Sequence, residues 1–328
     1  MSHPIPRLHD ISLEEFQQHL DTPPSHPTTR SSSATLDPDV PTPIVIAGAL
    51  SHWPALSDPS RRWDNPDYLL RRTLGGRRLV PVEVGRSYVD EGWGQRIMTF
   101  GEFVRGWMVE APVEKEEGVL GEGEHGFKRS RENKSGKELG NTVEDSRSQT
   151  AYLAQHPLFT QLPSLRADIL TPDYCYSKPP PAPSAPIPCD SSYSDSPDTP
   201  EPLLNAWFGP AHTISPLHTD PHHNILCQVV GHKYIRLYPP SETPRLYPRG
   251  RGEDGVDMSN TSQVDLDIYE GRGEAAEAER LKREFPEFCK ATYADGVLGP
   301  GECLYIPVGW WHYVRSLSAS FSVSFWFN

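Results

Sequence analysis

The sequence is short of cysteine, of long apolar runs and of positive charge, and each shortage excludes something. Its five cysteines, Cys175, Cys189, Cys227, Cys289 and Cys303, form no CxxC pair and no zinc-finger spacing. An odd, scattered set of this kind argues against a disulfide framework and for a reducing intracellular compartment. No uninterrupted apolar stretch is long enough to cross a bilayer. The leading segment "MSHPIPRLHDISLEEF" lacks the basic-then-apolar pattern of a secretory signal. The expectation is a soluble intracellular protein with no membrane contact, in the nucleus, the cytoplasm or both. Lysine and arginine number 31 against 44 aspartates and glutamates, a formal charge of −13. That deficit disfavours direct nucleic-acid binding, which calls for a basic face. A cationic protein or peptide partner is easier to accommodate.

What is present is a globular chain with excursions. At 328 residues it is long enough to bury a substantial core, yet only 36% of it is hydrophobic and it carries 35 prolines. "DISLEEFQQHL" (10–20) reads as a helix capped by Asp10 or Ser12, followed by a Pro-, Ser- and Thr-rich arm, so residues 1–40 form a leading helix and flexible arm. Residues 41–328 read as one domain. "PIVIAGAL" (43–50) and "RRLVPVEVG" (77–85) are strands, the latter with Val80, Val82 and Val84 on one face, and "MTFGEFVRGWM" (98–108) is helical with Thr99 as cap. The segments 113–150, 177–200 and 249–282 are rich in charge, glycine, proline or serine and read as disordered loop insertions. The last of these ends in helix-like "GEAAEAERLKREF". In the C-terminal half, "LLNAWFG", "NILCQVVG", "HKYIRLYPP", "ECLYIPVGWWHYVRSL" and "SFSVSFWF" are short β-branched and aromatic runs between turn residues. The fold class expected is mostly β with flanking helices, a sandwich or jelly roll.

The anomaly in this pattern is "PLHTDPHHN" (216–224), which places histidine and aspartate where a strand should bury apolar side chains. His218 and Asp220 are two apart, so alternation along a strand presents both on one face. A plainer reading is a turn, because Asp220 precedes Pro221. A non-haem Fe(II) oxygenase needs two histidines and one carboxylate on one side of the metal, leaving the other positions open. His312 in "IPVGWWHYV" is the candidate third ligand, on a strand that a jelly roll would bring back beside the first. Taken alone it is more simply an aromatic-packed core histidine. Lys233, expected on the next strand of an antiparallel hairpin, is an unusual residue to bury between Val230 and Ile235. It is placed to hold the far carboxylate of a 2-oxoglutarate co-substrate.

"NAWFGPAHTISPLHTDPHHNILCQVVGHKYIRLY", with "LGPGECLYIPVGWWHYVRSLSASFSVSFWFN", resembles the jumonji-C (JmjC) oxygenases. "PIVIAGALSHWPAL", "RRLVPVEVGRSYVDEGWGQRIMT" and "AYLAQHPLF" resemble one protein-modifying branch of that family. The resemblance implies a double-stranded β-helix of the cupin type that uses Fe(II), 2-oxoglutarate and O2. It implies iron ligation by His218, Asp220 and His312. It also implies 2-oxoglutarate contacts from Lys233, Tyr152, Ser215, Asn224 and Trp326. Glu83, Tyr88 and Trp207 correspond to the substrate side, where a carboxylate and an indole face suit a guanidinium or ammonium group. Without the resemblance, Glu83 is simply an outward strand residue and Trp207 core. His212, His222 and His223 are expected in a solvated loop, away from the metal.

The substrate implied is a protein or peptide bearing arginine or methyl-lysine. Hydroxylation of arginine is the favoured reaction, since a carboxylate meets a guanidinium in bidentate geometry, whereas methyl-lysine is better served by an aromatic cage. Histone N-methyl-lysine demethylation is the alternative. From a different class comes a catalytically silent cupin that only binds peptides, which has no need of three ligands and a buried lysine together.

Overall fold

In the computed structural model, residues 2–21, 40–90, 92–108, 150–180, 201–252 and 255–328 are described. The expected insertions at 113–150 and 177–200 lie almost wholly outside them. The strands in chain order are β1 (Ser2–Pro4), β2 (Arg7–His9), β3 (Ile44–Ala47), β4 (Leu79–Val84), β5 (Gly94–Thr99), β6 (Ala151–His156) and β7 (Leu203–Gly209). They continue as β8 (Ile214–His218), β9 (His223–Val230), β10 (Lys233–Tyr238), β11 (Tyr293–Leu298), β12 (Cys303–Ile306), β13 (Trp311–Ser316) and β14 (Ser320–Phe327).

These strands form a five-stranded sheet, β1-β11-β10-β13-β8, and a nine-stranded sheet, β2-β3-β12-β9-β14-β7-β6-β4-β5. Successive strands β8, β9 and β10 alternate between the two sheets, as do β11, β12, β13 and β14, which is the winding of a jelly roll. The fold is cupin-like and mostly β, as the strand-rich second half leads one to expect. Lys233 is reached by this alternation and not by a hairpin: β9 and β10 lie in different sheets and do not pair. The turn between them needs Gly231, at φ +72, where an added Cβ would stand 2.0 Å from the carbonyl oxygen of Ala319.

Period-two alternation sorts the side chains into three layers. Between the sheets lie Val45, Leu226, Ile235, Leu237, Leu304, Ile306 and Val314. Ile225, Cys227, Val229, Phe321, Val323 and Phe325 project from the other face of the large sheet, against Trp53, Trp63, Phe100, Phe103 and Phe159 from the flanking helices and loops. The helix Leu13–Asp21 adds Phe16 and Leu20 to that layer and starts with reciprocal bonds between Ser12 and Glu15. Beneath it, the carboxylate of Asp168, fully buried, accepts from Arg61 Nε (2.7 Å), Trp63 Nε1 (3.0 Å) and Tyr68 Oη (2.5 Å).

Two departures from the sequence reading concern the chain's organisation. Residues 2–9, ahead of the expected helix, are strands: β1 pairs in parallel with β11, and β2 with β3, so the leading segment closes an edge of each sheet. The Pro-, Ser- and Thr-rich arm at 22–39 lies outside the described residues. The third segment, 249–282, is not a loose loop in its described part. Val264, Leu266 and Leu281 are buried with Phe285 and Phe288 against Leu217, Tyr238, Trp311 and Tyr313 on the outer face of the small sheet. Its helices, Leu266–Tyr269 and Ala275–Glu284, turn an apolar minority inward while their abundant charge stays outside.

Candidate metal centre and co-substrate cleft

His218 is the last residue of β8, and in the β8/β13 ladder it lies directly opposite His312. Register alone therefore brings together two histidines 94 positions apart, their ring centroids separated by 4.2 Å. Asp220 arrives differently from the expected alternation. The strand ends at His218, and Asp220 lies on the irregular segment leading into the bend at Pro221 and His222. The turn expected at Asp220 is present, and it brings the carboxylate back over the two histidines. Asp220 Oδ1 stands 3.6 Å from His218 Nε2, and its Oδ2 stands 3.4 Å from His312 Nε2. One donor atom from each of the three lies within 4.8 Å of the others, and this is the metal-competent cluster among the described residues.

Each imidazole is oriented from behind. His218 Nδ1 faces the carbonyl of Pro216 at 2.7 Å, and His312 Nδ1 faces that of Trp310 at 3.1 Å. A proton on Nδ1 leaves the Nε2 lone pair free for a metal. Burial and the neighbouring His312 push the pKa of His218 down to about 4, so it stays neutral as a ligand must. Burial acts to lower His312 as well, but the Asp220 carboxylate outweighs it and the net shift is upward. Burial likewise opposes ionisation of Asp220, and the two imidazoles reverse this and hold it low. Two nitrogens and a carboxylate oxygen on one side, with the other side facing a cleft, fit a divalent ion such as Fe(II) that keeps open positions.

The cleft beside the triad is walled by Tyr152, Trp207, Ser215, Asn224, Lys233 and Val314, among others. Lys233 is only 1% exposed. Its Nζ donates to Tyr152 Oη at 3.2 Å, and burial lowers its pKa to about 7. The Oδ1 of Asn224 is buried without a hydrogen-bond partner. Buried polar groups without full partners are costly, so an ammonium with one phenol partner and no paired carboxylate among the described residues, beside an amide oxygen with no partner, marks a place built for a polar guest. Four of the five residues implied for 2-oxoglutarate thus share one wall. Trp326 does not join them: it is Asn224's partner across β9 and β14, and its indole packs beside His222, with Nε1 buried and unpartnered.

On the substrate side, Trp207 lines the cleft and donates from Nε1 to Ser324 Oγ at 2.9 Å. Glu83 pairs with Tyr152 across β4 and β6 and accepts from Trp93 Nε1 at 3.3 Å. Burial raises its pKa, partly offset by that indole. Tyr88 lies over the segment expected to be a loop, its Oη 3.5 Å from Thr261 Oγ1, and burial pushes its phenol up to about 12.

Sequence reasoning missed three contributors. Thr219 is clamped from both ends by Asn260, whose carbonyl accepts from the Thr219 amide (2.8 Å) and whose Nδ2 donates to the Thr219 carbonyl (3.2 Å). Thr261 bridges to His218 itself. Trp93, in the turn after β4, holds Glu83. Among the histidines expected in solvent, His212 is exposed and His222 half-exposed, but His223 is not: it opens β9, is 3% exposed and faces Tyr305 Oη at 2.8 Å.

A jelly roll carrying a metal-competent pair of histidines and a carboxylate has the architecture of a cupin-like protein. The chain belongs to the cupin-like domain family, whose model matches residues 39–328. It is 36% identical to lysine-specific demethylase 8 of Xenopus tropicalis over 99% of this chain and 53% of the relative. It is 40% identical to lysine-specific demethylase JMJ30 of Arabidopsis thaliana over 88% and 50%, and 34% identical to Jumonji C domain-containing protein 5 of Drosophila melanogaster over 99% and 60%. The chain spans about half the length of the curated relatives it matches. The resemblance to JmjC proteins read from the motifs is thus borne out. Among the described residues, no helix is long and apolar enough to cross a membrane.

Proposed function

We propose that this chain is an Fe(II)- and 2-oxoglutarate-dependent oxygenase that removes methyl groups from N-methyl-lysine in a protein. The observation that carries the oxygenase reading is Lys233: an amine buried to 1% exposure in the wall that also bears Ser215, Asn224 and the three metal ligands. A metal site alone has no use for it, and a silent peptide-binding cupin needs neither. His218, Asp220 and His312 would hold the iron. Lys233 would receive a co-substrate carboxylate, with Tyr152 beside it. The cleft there is narrow, with about 20 Å³ open to the centres of water-sized molecules.

Bound iron and 2-oxoglutarate together supply O2-driven oxidation of an unactivated C–H bond, with succinate and CO2 as co-products. The chain's own part is to keep His218 neutral, exclude water with Leu226, Ile306 and Val314, and present one substrate carbon to the open face. Oxidation at an N-methyl carbon gives a hemiaminal that releases formaldehyde. The printed names of two relatives, lysine-specific demethylases, support that outcome over the arginine hydroxylation favoured from sequence.

Arginine hydroxylation stays as a second reading on one observation: Glu83 accepts a single hydrogen bond and keeps acceptor capacity for a guanidinium. Peptides bearing dimethyl-lysine or arginine, incubated with protein, Fe(II), 2-oxoglutarate and O2, separate the two by mass. Loss of a methyl group with formaldehyde released is the expected result. Gain of one oxygen on arginine moves the assignment to hydroxylase, and no succinate with any peptide contradicts both.

A further inference from the structure

A second cavity, of about 270 Å³, lies beside the metal-bearing end of the roll. It opens on the other face of the same strands: Ile214, Pro216 and Tyr313 line it, where Ser215, His312 and Val314 line the metal cleft. Ser87 precedes Tyr88, Pro216 stands two residues before His218, and Ser262 follows Thr261, which bridges to His218. Three guanidinium groups line this cavity, and two of them are matched. Arg86 pairs with Asp90 at 3.0 Å and with Asp265, while Arg280 pairs with Glu277 at 3.6 Å and Glu284 at 3.0 Å.

Arg249 has no matching carboxylate among the described residues. Its Nε donates to the carbonyl of Ser262 at 3.1 Å, which fixes the head group. Among the described residues, its two terminal nitrogens meet no carboxylate and no other acceptor. A held, half-buried guanidinium whose fork meets no acceptor among the described residues is a paired donor for a planar anion. In the same wall Ser87 is 5% exposed, and its hydroxyl has no hydrogen-bond partner. Two polar groups are thus left unmet in one cavity, where Arg86 and Arg280 show that the fold readily supplies counter-charges. The Arg249 amide donates to the carbonyl of Thr261 at 2.7 Å, the residue that bridges to His218, which seats Arg249 at the edge of the site.

We infer that Arg249, with Ser87, forms a carboxylate-accepting subsite that reads an Asp or Glu flanking the basic target residue of the peptide. The inference rests on the peptide-oxygenase reading above. Glu83 would take the cation of the target side chain and Arg249 the anion of a neighbour. The opposed charges then set the direction in which the peptide crosses the mouth. This selects zwitterionic stretches over uniformly basic ones, which a net charge of −13 alone would not do.

The test is binding rather than turnover. Labelled peptides centred on dimethyl-lysine or arginine, each with one Glu stepped through the flanking positions and a Gln counterpart, are titrated with the full chain loaded with Mn(II) and 2-oxoglutarate. At one position Glu should bind about fivefold more tightly than Gln. That ratio should fall to about one in Arg249→Gln and invert in Arg249→Glu, with retained Mn(II) binding showing both variants folded. Ser87→Ala should reduce the ratio in part. Equal binding of Glu and Gln peptides at every position, or a preference that survives Arg249→Gln, overturns the inference. So does no binding by any peptide, or capture of free succinate at this cavity without a Glu preference. Formaldehyde or added oxygen on the same peptides with Fe(II) tests the proposed function separately. Its absence beside an intact Glu preference overturns that function and leaves the subsite standing.

Discussion

The floor of the site and its rim are built by different means. On the floor, His218, His312, Lys233, Ser215 and Asn224 stand on β8, β13, β10 and β9, where strand register fixes each against a named neighbour. At the rim, Glu83 is near the end of β4, Tyr88 and Trp93 are in the turn that follows, and Arg249, Asn260 and Thr261 belong to a long connection. The floor is buried, and it holds an amine with one hydrogen-bond partner and an amide oxygen with none. The rim is charged, and its unmet groups are a carboxylate with spare acceptors and a guanidinium. A strand-built floor suits chemistry that must not vary, and a rim of turns can change its charges without disturbing that chemistry.

Breaking the floor should give the largest effects. Asp220→Ala removes the one carboxylate shared by both imidazoles and should lower metal affinity by more than about a hundredfold, read as bound Mn(II) per chain. Retention of one tightly held ion would remove Asp220 from the ligand set. Lys233→Met keeps the bulk of the side chain and deletes the amine. Affinity for 2-oxoglutarate should fall about a hundredfold, while thermal stability of the ligand-free protein holds or rises, since an uncompensated buried cation is gone. A large loss of stability with affinity intact would make Lys233 structural.

The same lysine predicts a pH dependence whose sign follows from its lowered pKa. Below about 7 the ammonium is already present, so co-substrate binding takes up no proton there. Above 7 the free protein holds a neutral amine, and a bound carboxylate raises its pKa. Binding then takes up a proton, and the 2-oxoglutarate Kd should rise about tenfold per pH unit. Calorimetry at pH 8 in two buffers of different ionisation enthalpy checks this, and equal heats would contradict it.

Where the rim meets the floor, effects should be smaller. Asn260→Ala removes the Nδ2 bond to the Thr219 carbonyl and leaves the backbone bond, and should weaken metal binding by up to about tenfold, as loss of an outer support does. No change would mean that the turn at Asp220 holds itself. Glu83→Gln is expected to be milder, weakening a cationic peptide by about fivefold in a direct binding assay. An unchanged Kd would take Glu83 out of the substrate contacts.

The same contrast explains what could be read in advance. The floor was legible because strands announce themselves by alternation, and a histidine or lysine on a buried face stands out against Leu226, Ile235 or Val314. His312 could be paired with His218 once a jelly roll was assumed. Asp220 was found by a spacing argument whose geometry differs, since the carboxylate arrives through a turn. The rim was harder. Val264, Leu266, Ile268 and Tyr269 lie among so many glycines and charges that 249–282 read as loose chain, and their packing partners on β8, β10 and β13 are remote in sequence. Asn260 and Thr261 carried no signal without them. The short strands β1 and β2 were missed because three residues show no periodicity, and only the sheet edges they close make them strands.

The most direct test of the central claim, that one buried wall holds metal and 2-oxoglutarate together, is anaerobic titration of 2-oxoglutarate into the Fe(II)-loaded protein. The readout is the visible charge-transfer band of a 2-oxoacid chelated to iron. A saturable band that is absent in Asp220→Ala and shifted to about hundredfold higher concentration in Lys233→Met is the predicted result. No band in the wild-type chain, or an unshifted one in Lys233→Met, would contradict it.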